Sequence, residues 1–187
     1  MKTAVYSGSF NPLHIGHLAI IRHLIEEAGF DRVYLIVSPK NPLKEGISAA
    51  TGQDRFNAAV AAVNRHPELK PKVRVDDIEL NMSEPHYTIR TLEALREREP
   101  ENSFTLTIGA DNLAGFRRWK DYRRILKEYG TAVFPRTGFD LESIKADLLQ
   151  EDPEYKIIPL NAEMVDISST TIRNAIAEGQ DMSRWLM

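Results

Sequence analysis

The sequence contains no cysteine, which excludes disulfide bonds and thiol catalysis. It lacks an apolar run of the roughly 18 residues that a membrane-spanning helix needs, and it does not open with a signal-peptide pattern. Charge of neither sign is in large excess, since 24 Lys and Arg residues face 27 Asp and Glu residues, so the footprint of a nucleic-acid-binding surface is missing. These absences predict a cytoplasmic protein that interacts with neither a membrane nor a nucleic acid.

The apolar side chains that are present suffice for one core. Because 42% of the 187 residues are hydrophobic, we expect a single domain over residues 1–187. Continuous apolar runs alternate with the 3.6-residue period of helices, which predicts an α/β fold with an open, mostly parallel, doubly wound sheet and helices on both faces. The predicted strands are residues 4–6, 32–38, 73–80, 104–108, 131–134 and 155–160, and the predicted helices are residues 16–28, 54–64, 87–98, 122–129, 141–150 and 168–179.

The segment Gly8-Ser9-Phe10-Asn11-Pro12-Leu13-His14-Ile15-Gly16-His17 joins the first predicted strand to the first predicted helix. A turn at this place directs backbone N–H groups and the positive helix end at an anion. His14 and His17 are either ordinary surface or core residues, a metal pair that lacks a third clustered ligand, or part of that anion site. The dinucleotide fingerprint G-x-G-x-x-G is absent, so phosphate binding by this turn is the favoured interpretation.

A second anion-binding pattern lies far along the chain, at Ile167-Ser168-Ser169-Thr170-Thr171-Ile172-Arg173. Hydroxyl and free N–H groups at a helix start, with an arginine in the first turns, suit a phosphate. Taken alone, the same pattern is typical of a serine N-cap followed by a solvent-facing arginine. The same chain also contains the segment of residues 8–17, here called the histidine turn, and its presence favours the phosphate interpretation.

Together these segments resemble the H-x-G-H and I-S-S-T-x-x-R motifs of the nucleotidylyltransferase superfamily, which implies a Rossmann-like domain that binds ATP. The resemblance implies that His14, His17 and Arg173 hold the ATP phosphates, with His17 at the reacting α-phosphate. Lys44, in a long loop predicted over residues 39–53, would offset phosphate charge, and Arg55 is a weaker candidate. The implied ATP-binding residues are Gly8, Ser9, Phe10, Gly109, Asp111, Ser168, Ser169 and Thr170.

Two further segments resemble those of the bacterial nicotinate-nucleotide adenylyltransferase family. One is Gly109-Ala110-Asp111-Asn112-Leu113 with the following Phe116 and Trp119, and the other is Tyr87-Thr88-Ile89-Arg90-Thr91-Leu92. The resemblance implies that nicotinate mononucleotide is bound at a helix N-terminus and under an aromatic ring, by Tyr87, Thr88, Trp119 and Arg136. Outside the family, Asp111 is equally typical of a helix cap, Trp119 of a core aromatic residue, and Tyr87-Thr88 of a helix cap with a buried ring.

The implied reaction is adenylyl transfer from ATP to nicotinate mononucleotide, which forms nicotinate adenine dinucleotide and pyrophosphate. The acceptor phosphate is already an anion, so the reaction requires neither a general base nor a covalent intermediate. Mg²⁺ would arrive with ATP and be held mainly by phosphates and water, with no metal site built from the protein. The implied partners are these two small-molecule substrates, and the sequence leaves homo-oligomer formation open.

Two alternative functions remain at this point. Pantetheine-phosphate adenylyltransferases share the ATP half-site, although the Tyr87-Thr88 segment and Trp119 argue against that acceptor. A regulatory module that binds a nucleotide without turnover is the second alternative, and the intact histidine pair argues against it. Residues 41–44 depart from the usual family pattern, so the contacts of that loop stay open.

Overall fold

A computed structural model describes residues 1–39 and 51–187, and within these ranges six strands pair in parallel in one sheet. The strands are β1 Lys2–Gly8, β2 Arg32–Val37, β3 Val73–Asp76, β4 Ser103–Gly109, β5 Thr131–Phe134 and β6 Ile157–Pro159. Their spatial order is β3-β2-β1-β4-β5-β6, with Val5 of β1 between Tyr34 of β2 and Leu106 of β4. The order reverses between β1 and β4, and ligands of such sheets bind beyond the carboxyl ends of these strands.

Helices connect the strands and lie on both faces of the sheet. In the described ranges they are α1 Ile15–Glu26, α2 Gly52–Asn64, α3 Thr88–Arg98, α4 Ala110–Ala114, α5 Tyr122–Arg124, α6 Leu141–Glu151 and α7 Ser169–Ala177. A π-helical turn, Ile125–Tyr129, continues α5, and shorter 3₁₀ turns form at Ile78–Asn81, Phe116–Arg118 and Ser183–Trp185. None of the helices in the described part of the chain is both long and apolar enough to cross a membrane.

The strands separate two hydrophobic cores. On one face α1 and α2 pack against a core that includes Tyr6 and Phe134. On the other face α3, α4, α6 and the π-helical turn pack around Val5 and Leu106. Neighbouring strand residues such as Val5 and Tyr6 enter opposite cores because successive side chains of a strand alternate between faces. The predicted α/β class and doubly wound parallel sheet are therefore confirmed.

Several element ends differ from the predictions for local reasons. The strand predicted over residues 73–80 ends at Asp76. The Asp76 carboxylate accepts a hydrogen bond from the Ile78 N–H at 3.0 Å and forms an ion pair with Arg98 at 2.6 Å. The bond to Ile78 turns the chain into the 3₁₀ turn that follows. The helix predicted from residue 54 starts at Gly52, because the Thr51 hydroxyl and the Asp54 carboxylate form a capping box.

Candidate active site

The histidine turn begins where β1 ends, and His14 is the N-cap of α1. The Gly16 N–H donates to Nδ1 of His14 at 3.0 Å, and the His14 N–H donates to Nδ1 of His17 at 3.1 Å. Because both Nδ1 atoms accept hydrogen bonds, each neutral ring carries its proton on Nε2. The two rings lie side by side with centroids 3.8 Å apart. The capping box therefore creates a pair of Nε2–H donors at the N-terminus of a helix.

Both imidazoles are held in the neutral form. Burial lowers the pKa of His14 from 6.5 to about 4, and the positive charge of Arg136 acts in the same direction. Burial also keeps the pKa of His17 well below its usual range, with further contributions from His14 and Arg136. The absence of charge agrees with the hydrogen bonds, because a proton on either Nδ1 would break the cap.

A cleft in two parts opens at the carboxyl edge of the sheet. The larger part, about 780 Å³, lies between the histidine turn, the end of β5 and the start of α7. The smaller part, about 280 Å³, lies beyond the ends of β1 and β4, at the point where the strand order reverses. The residues that line both parts are Tyr6, His17, Phe134, Arg136 and Ser169. His17 is thus placed where ligands in the two parts would meet.

The smaller cavity collects residues from four separate sequence motifs, since Ser169 also lines it. Gly8, Ser9, Phe10 and Gly109, which the family resemblance implied for ATP, all line this part rather than the larger one. Thr88 and Trp119 join them, and so do Asn112, which lies in a quoted motif but had no predicted role, and Thr107, which lies in none. Thr107 escaped notice because an isolated threonine in a strand carries no sequence signal.

Gly109 is required by the close packing at the end of β4. A Cβ at this position would collide with Oδ1 of Asp111, and it would lie 3.0 Å from the Phe134 ring and 3.1 Å from Nε of Arg136. The Arg136 guanidinium in turn lies 5.1 Å from the centroid of the Phe134 ring and 3.6 Å from Oδ1 of Asp111. A side chain at this position would therefore crowd the residues that line the end of β4.

Four of the predicted binding residues lie outside both cavities, namely Asp111, Tyr87, Thr170 and Arg173. Asp111 sits in the first turn of α4, whose N-cap is Gly109, so the interpretation of Asp111 as a helix cap is wrong. Tyr87 is the N-cap residue of α3, as the alternative of a helix cap predicts, but it is 45% exposed, so the alternative of a buried ring is wrong. Lys44 lies outside the described residues.

The start of α7 is hydrogen-bonded to the histidine turn. Ser168 is its N-cap and accepts the Thr171 N–H at 3.1 Å, as the capping pattern predicts, and it lines the larger cavity. The Ser169 hydroxyl donates to the Pro12 carbonyl at 2.9 Å. These contacts hold the N-terminus of α7 against the turn across more than 150 residues of sequence.

Arg173 takes part in the same junction. It donates to the Asn11 carbonyl at 2.6 Å and to the Thr170 hydroxyl at 3.0 Å, so its interpretation as a solvent-facing residue is wrong. Neither Arg173 nor Thr170 lines either part of the cleft. In this structure Arg173 supports the histidine turn, and direct contact with ATP phosphates stays a prediction.

Arg55, a weaker candidate for phosphate contact, has a structural position instead. Its side chain is almost fully buried, and one guanidinium nitrogen donates to the carbonyls of Ser9 and Ser38, both at 2.8 Å. The other terminal nitrogen donates to the Pro39 carbonyl at 3.3 Å. Arg55 therefore ties the end of β1 to the end of β2 and is not free to bind a ligand.

No group of three His, Asp or Glu side chains comes close enough to hold a metal ion within residues 1–39 and 51–187. The donor set that the cleft does offer consists of imidazole Nε2–H groups, hydroxyls, helix N-termini and Arg136. Such a set recognises phosphates.

A parallel sheet with a two-part cleft at its switch point, lined by helix N-termini and a pair of imidazole donors, defines a nucleotide-binding protein with space for two ligands. The chain belongs to the cytidylyltransferase-like family, whose model matches residues 5–175. The resemblance noted in the sequence is thereby confirmed.

Within that family the chain is similar to proteins named probable nicotinate-nucleotide adenylyltransferase. The protein from Flavobacterium johnsoniae is 37% identical over 97% of this chain and 90% of its own length, and that from Bacteroides fragilis is 38% identical over 99% and 87%. The solved structure of Plasmodium falciparum nicotinic acid mononucleotide adenylyltransferase complexed with NaAD matches 97% of this chain and 87% of its own with a TM-score of 0.76. Its 21% identity makes this a likeness of fold.

Proposed function

We propose that this protein transfers the adenylyl group of ATP to nicotinate mononucleotide, forming nicotinate adenine dinucleotide and pyrophosphate. The observation that carries the proposal is the position of His17 in the wall common to both parts of the cleft. A transfer between two bound nucleotides needs donors at the junction of their sites, where the reacting phosphates meet. The relatives that are named nicotinate-nucleotide adenylyltransferases support the same reaction.

The larger cavity suits ATP, the bigger ligand. Its wall offers Ser168, Ser169, the N-terminus of α7 and His14 to a phosphate chain. We infer that the turn over Gly8, Ser9 and Phe10 borders the phosphates at the junction. Thr170 and Asp111 remain predicted ATP ligands that would need to reach in from outside the cavity walls.

The smaller cavity suits a pyridine nucleotide. Trp119 offers an aromatic face to the ring, and Thr88 opens α3, whose N-terminal N–H groups favour a carboxylate. Arg136 provides positive charge beside the acceptor phosphate, and Tyr87 adjoins the same helix start. An aromatic wall is better matched to nicotinate mononucleotide than to the flexible chain of phosphopantetheine.

In the proposed reaction a phosphate oxygen of nicotinate mononucleotide attacks the α-phosphorus of ATP. The bond from the α-phosphorus to the bridging oxygen breaks, and pyrophosphate leaves with the electron pair. The acceptor needs no base because its phosphate is ionised. The Nε2–H donors of His17 and His14 stabilise charge on the phosphate oxygens without carrying a charge that must be desolvated. Mg²⁺ enters with ATP as part of the substrate, and Lys44 is a predicted further cation.

The test is pyrophosphate release from Mg-ATP with nicotinate mononucleotide, nicotinamide mononucleotide and phosphopantetheine offered separately. We expect turnover with the nicotinate compound, with a preference of at least about tenfold over phosphopantetheine, because only the former fills an aromatic pocket. Turnover with phosphopantetheine alone would support the assignment of the ATP half-site but refute the assignment of nicotinate mononucleotide as the acceptor. Tight ATP binding without turnover of any acceptor would indicate a regulatory nucleotide-binding module instead.

A further inference from the structure

The wall of the smaller cavity that carries Trp119 is an irregular piece of chain. It consists of the 3₁₀ turn Phe116–Arg118, then Trp119, then Asp121 in the left-handed region at a φ of +53°. On its inner side the Trp119 ring packs on the buried Phe116 ring, with centroids 4.7 Å apart. Short irregular segments have few backbone hydrogen bonds of their own, so their geometry depends on side chains that anchor them.

One carboxylate on another element anchors this wall from both sides. Glu151 is the last residue of α6, and its Oε2 accepts from Nε of Arg117 at 2.8 Å. Its Oε1 accepts from the Tyr122 hydroxyl at 2.6 Å and lies 3.3 Å from Nε of Arg123. Arg117 precedes Trp119 and Tyr122 follows it, so Glu151 fixes the chain on either side of the indole.

Three hydrogen bonds already engage the anchoring carboxylate. Glu151 Oε1 also accepts the Tyr155 hydroxyl at 2.9 Å. Hydrogen bonds from Tyr122, Arg117 and Tyr155 lower the pKa of Glu151 to about 2, so the group is ionised throughout the neutral range. An ion pair this close to the surface contributes little to global stability, which makes a local effect on the wall the better account of the cluster.

We propose that Glu151 is a positioning residue that fixes Trp119 against the acceptor nucleotide and thereby sets the affinity for its pyridine ring. The inference rests on the proposed function, because it takes the smaller cavity as the nicotinate mononucleotide site. The residue acts through Arg117 and Tyr122 and touches neither substrate. Its loss should therefore affect binding of the acceptor while the ATP half of the cleft and the chemistry at His17 are retained.

The kinetic test is Glu151→Gln, which keeps the shape but cannot accept hydrogen bonds at both ends. We expect KM for nicotinate mononucleotide to rise about three- to tenfold, with kcat and KM for ATP within about twofold of wild type. Glu154→Gln is the matched control, because it removes the same charge nearby but its ion pair is with Lys127 at 3.2 Å. Tyr122→Phe, which deletes one hydroxyl, should shift the same KM by a smaller factor.

A second readout follows Trp119 directly and does not depend on turnover. Only one other tryptophan, Trp185, occurs in the sequence, so Trp185→Phe leaves Trp119 as the single indole fluorophore. In that background Glu151→Gln should increase acrylamide quenching, and Glu154→Gln should not. Unchanged quenching together with an unchanged KM would overturn the inference. If the wild type does not turn over nicotinate mononucleotide but Glu151→Gln still increases quenching, the proposed function fails and the positioning of Trp119 by Glu151 is supported.

Discussion

The neutral state of His14 makes a prediction about the stability of the whole protein. Burial and Arg136 lower the pKa of His14 from 6.5 to about 4 in the folded chain. Between these two values the unfolded chain takes up a proton that the folded chain does not. The free energy of unfolding therefore has its full value above pH 6.5 and falls as the pH falls toward 4.

The size of the effect follows from the two pKa values. At about pH 5, a group with a pKa of about 4 when folded and 6.5 when unfolded lowers the stability by about 2 kcal/mol relative to neutral pH. His17 acts in the same direction, since its pKa is also lowered. Against a typical stability of about 5–15 kcal/mol, such a loss is readily measured.

The assay is urea unfolding at about pH 7.5 and about pH 5 for the wild type and for His14→Asn, which retains a capping acceptor but does not titrate. The variant should lose about 2 kcal/mol less than the wild type between the two pH values. Thr51→Ala, which removes the cap of α2, should lower stability by about 1 kcal/mol at both. If His14→Asn and the wild type lose the same amount to within about 0.5 kcal/mol, His14 is not held neutral by the fold and the assignment of its Nε2–H as a donor fails.

Three further variants test other parts of the site. His17→Ala removes one transition-state donor and should lower kcat by about 10²–10³ with little change in ATP binding, and steady-state kinetics showing a loss below about threefold would exclude His17 from the chemistry. Gly109→Ala introduces a Cβ 3.0 Å from the Phe134 ring and should reduce kcat/KM for the acceptor by about tenfold. An unchanged kcat/KM would mean that the neighbouring side chains move aside without disturbing the site. Arg55→Met leaves the Ser9 carbonyl without this donor and should cost about 3 kcal/mol in urea unfolding, and a stable variant would refute the tie between β1 and β2.

The secondary-structure elements and the class of fold could be predicted from the sequence because both depend on local patterns. Continuous apolar runs such as residues 32–38 mark strands covered on both faces, and the spacing of Leu18, Ile21 and Leu24 marks the buried side of α1. Strand order is not local: β1 lies between β2 and β4, and its contact with β4 joins residues about 100 positions apart. Element ends also depend on single side chains, as the early end of β3 at Asp76 demonstrates.

The site was predictable as a set of motifs but not as a set of contacts. The same motif residues divide between the two cavities in a way that no spacing in the sequence indicates, with Ser168 in the larger one and Gly109 in the smaller. Arginines were the least predictable, because a guanidinium can reach a phosphate or a backbone carbonyl. Arg55 and Arg173 both take carbonyls, since the folded chain brings unpaired acceptors of the histidine turn within their reach.

The hydrogen bonds to these carbonyls explain how the histidine turn keeps an unfavourable backbone conformation. Phe10 lies in the left-handed region at a φ of +46°, which a bulky residue rarely adopts unless its surroundings enforce it. The enforcing contacts come from distant elements: Arg55 of α2 holds the Ser9 carbonyl, and Arg173 and Ser169 of α7 hold the carbonyls of Asn11 and Pro12. The imidazole pair that follows the turn therefore has a geometry set by contacts from two distant helices, α2 and α7. A variant that loosens one of these contacts should therefore change the geometry of the imidazole pair through the turn.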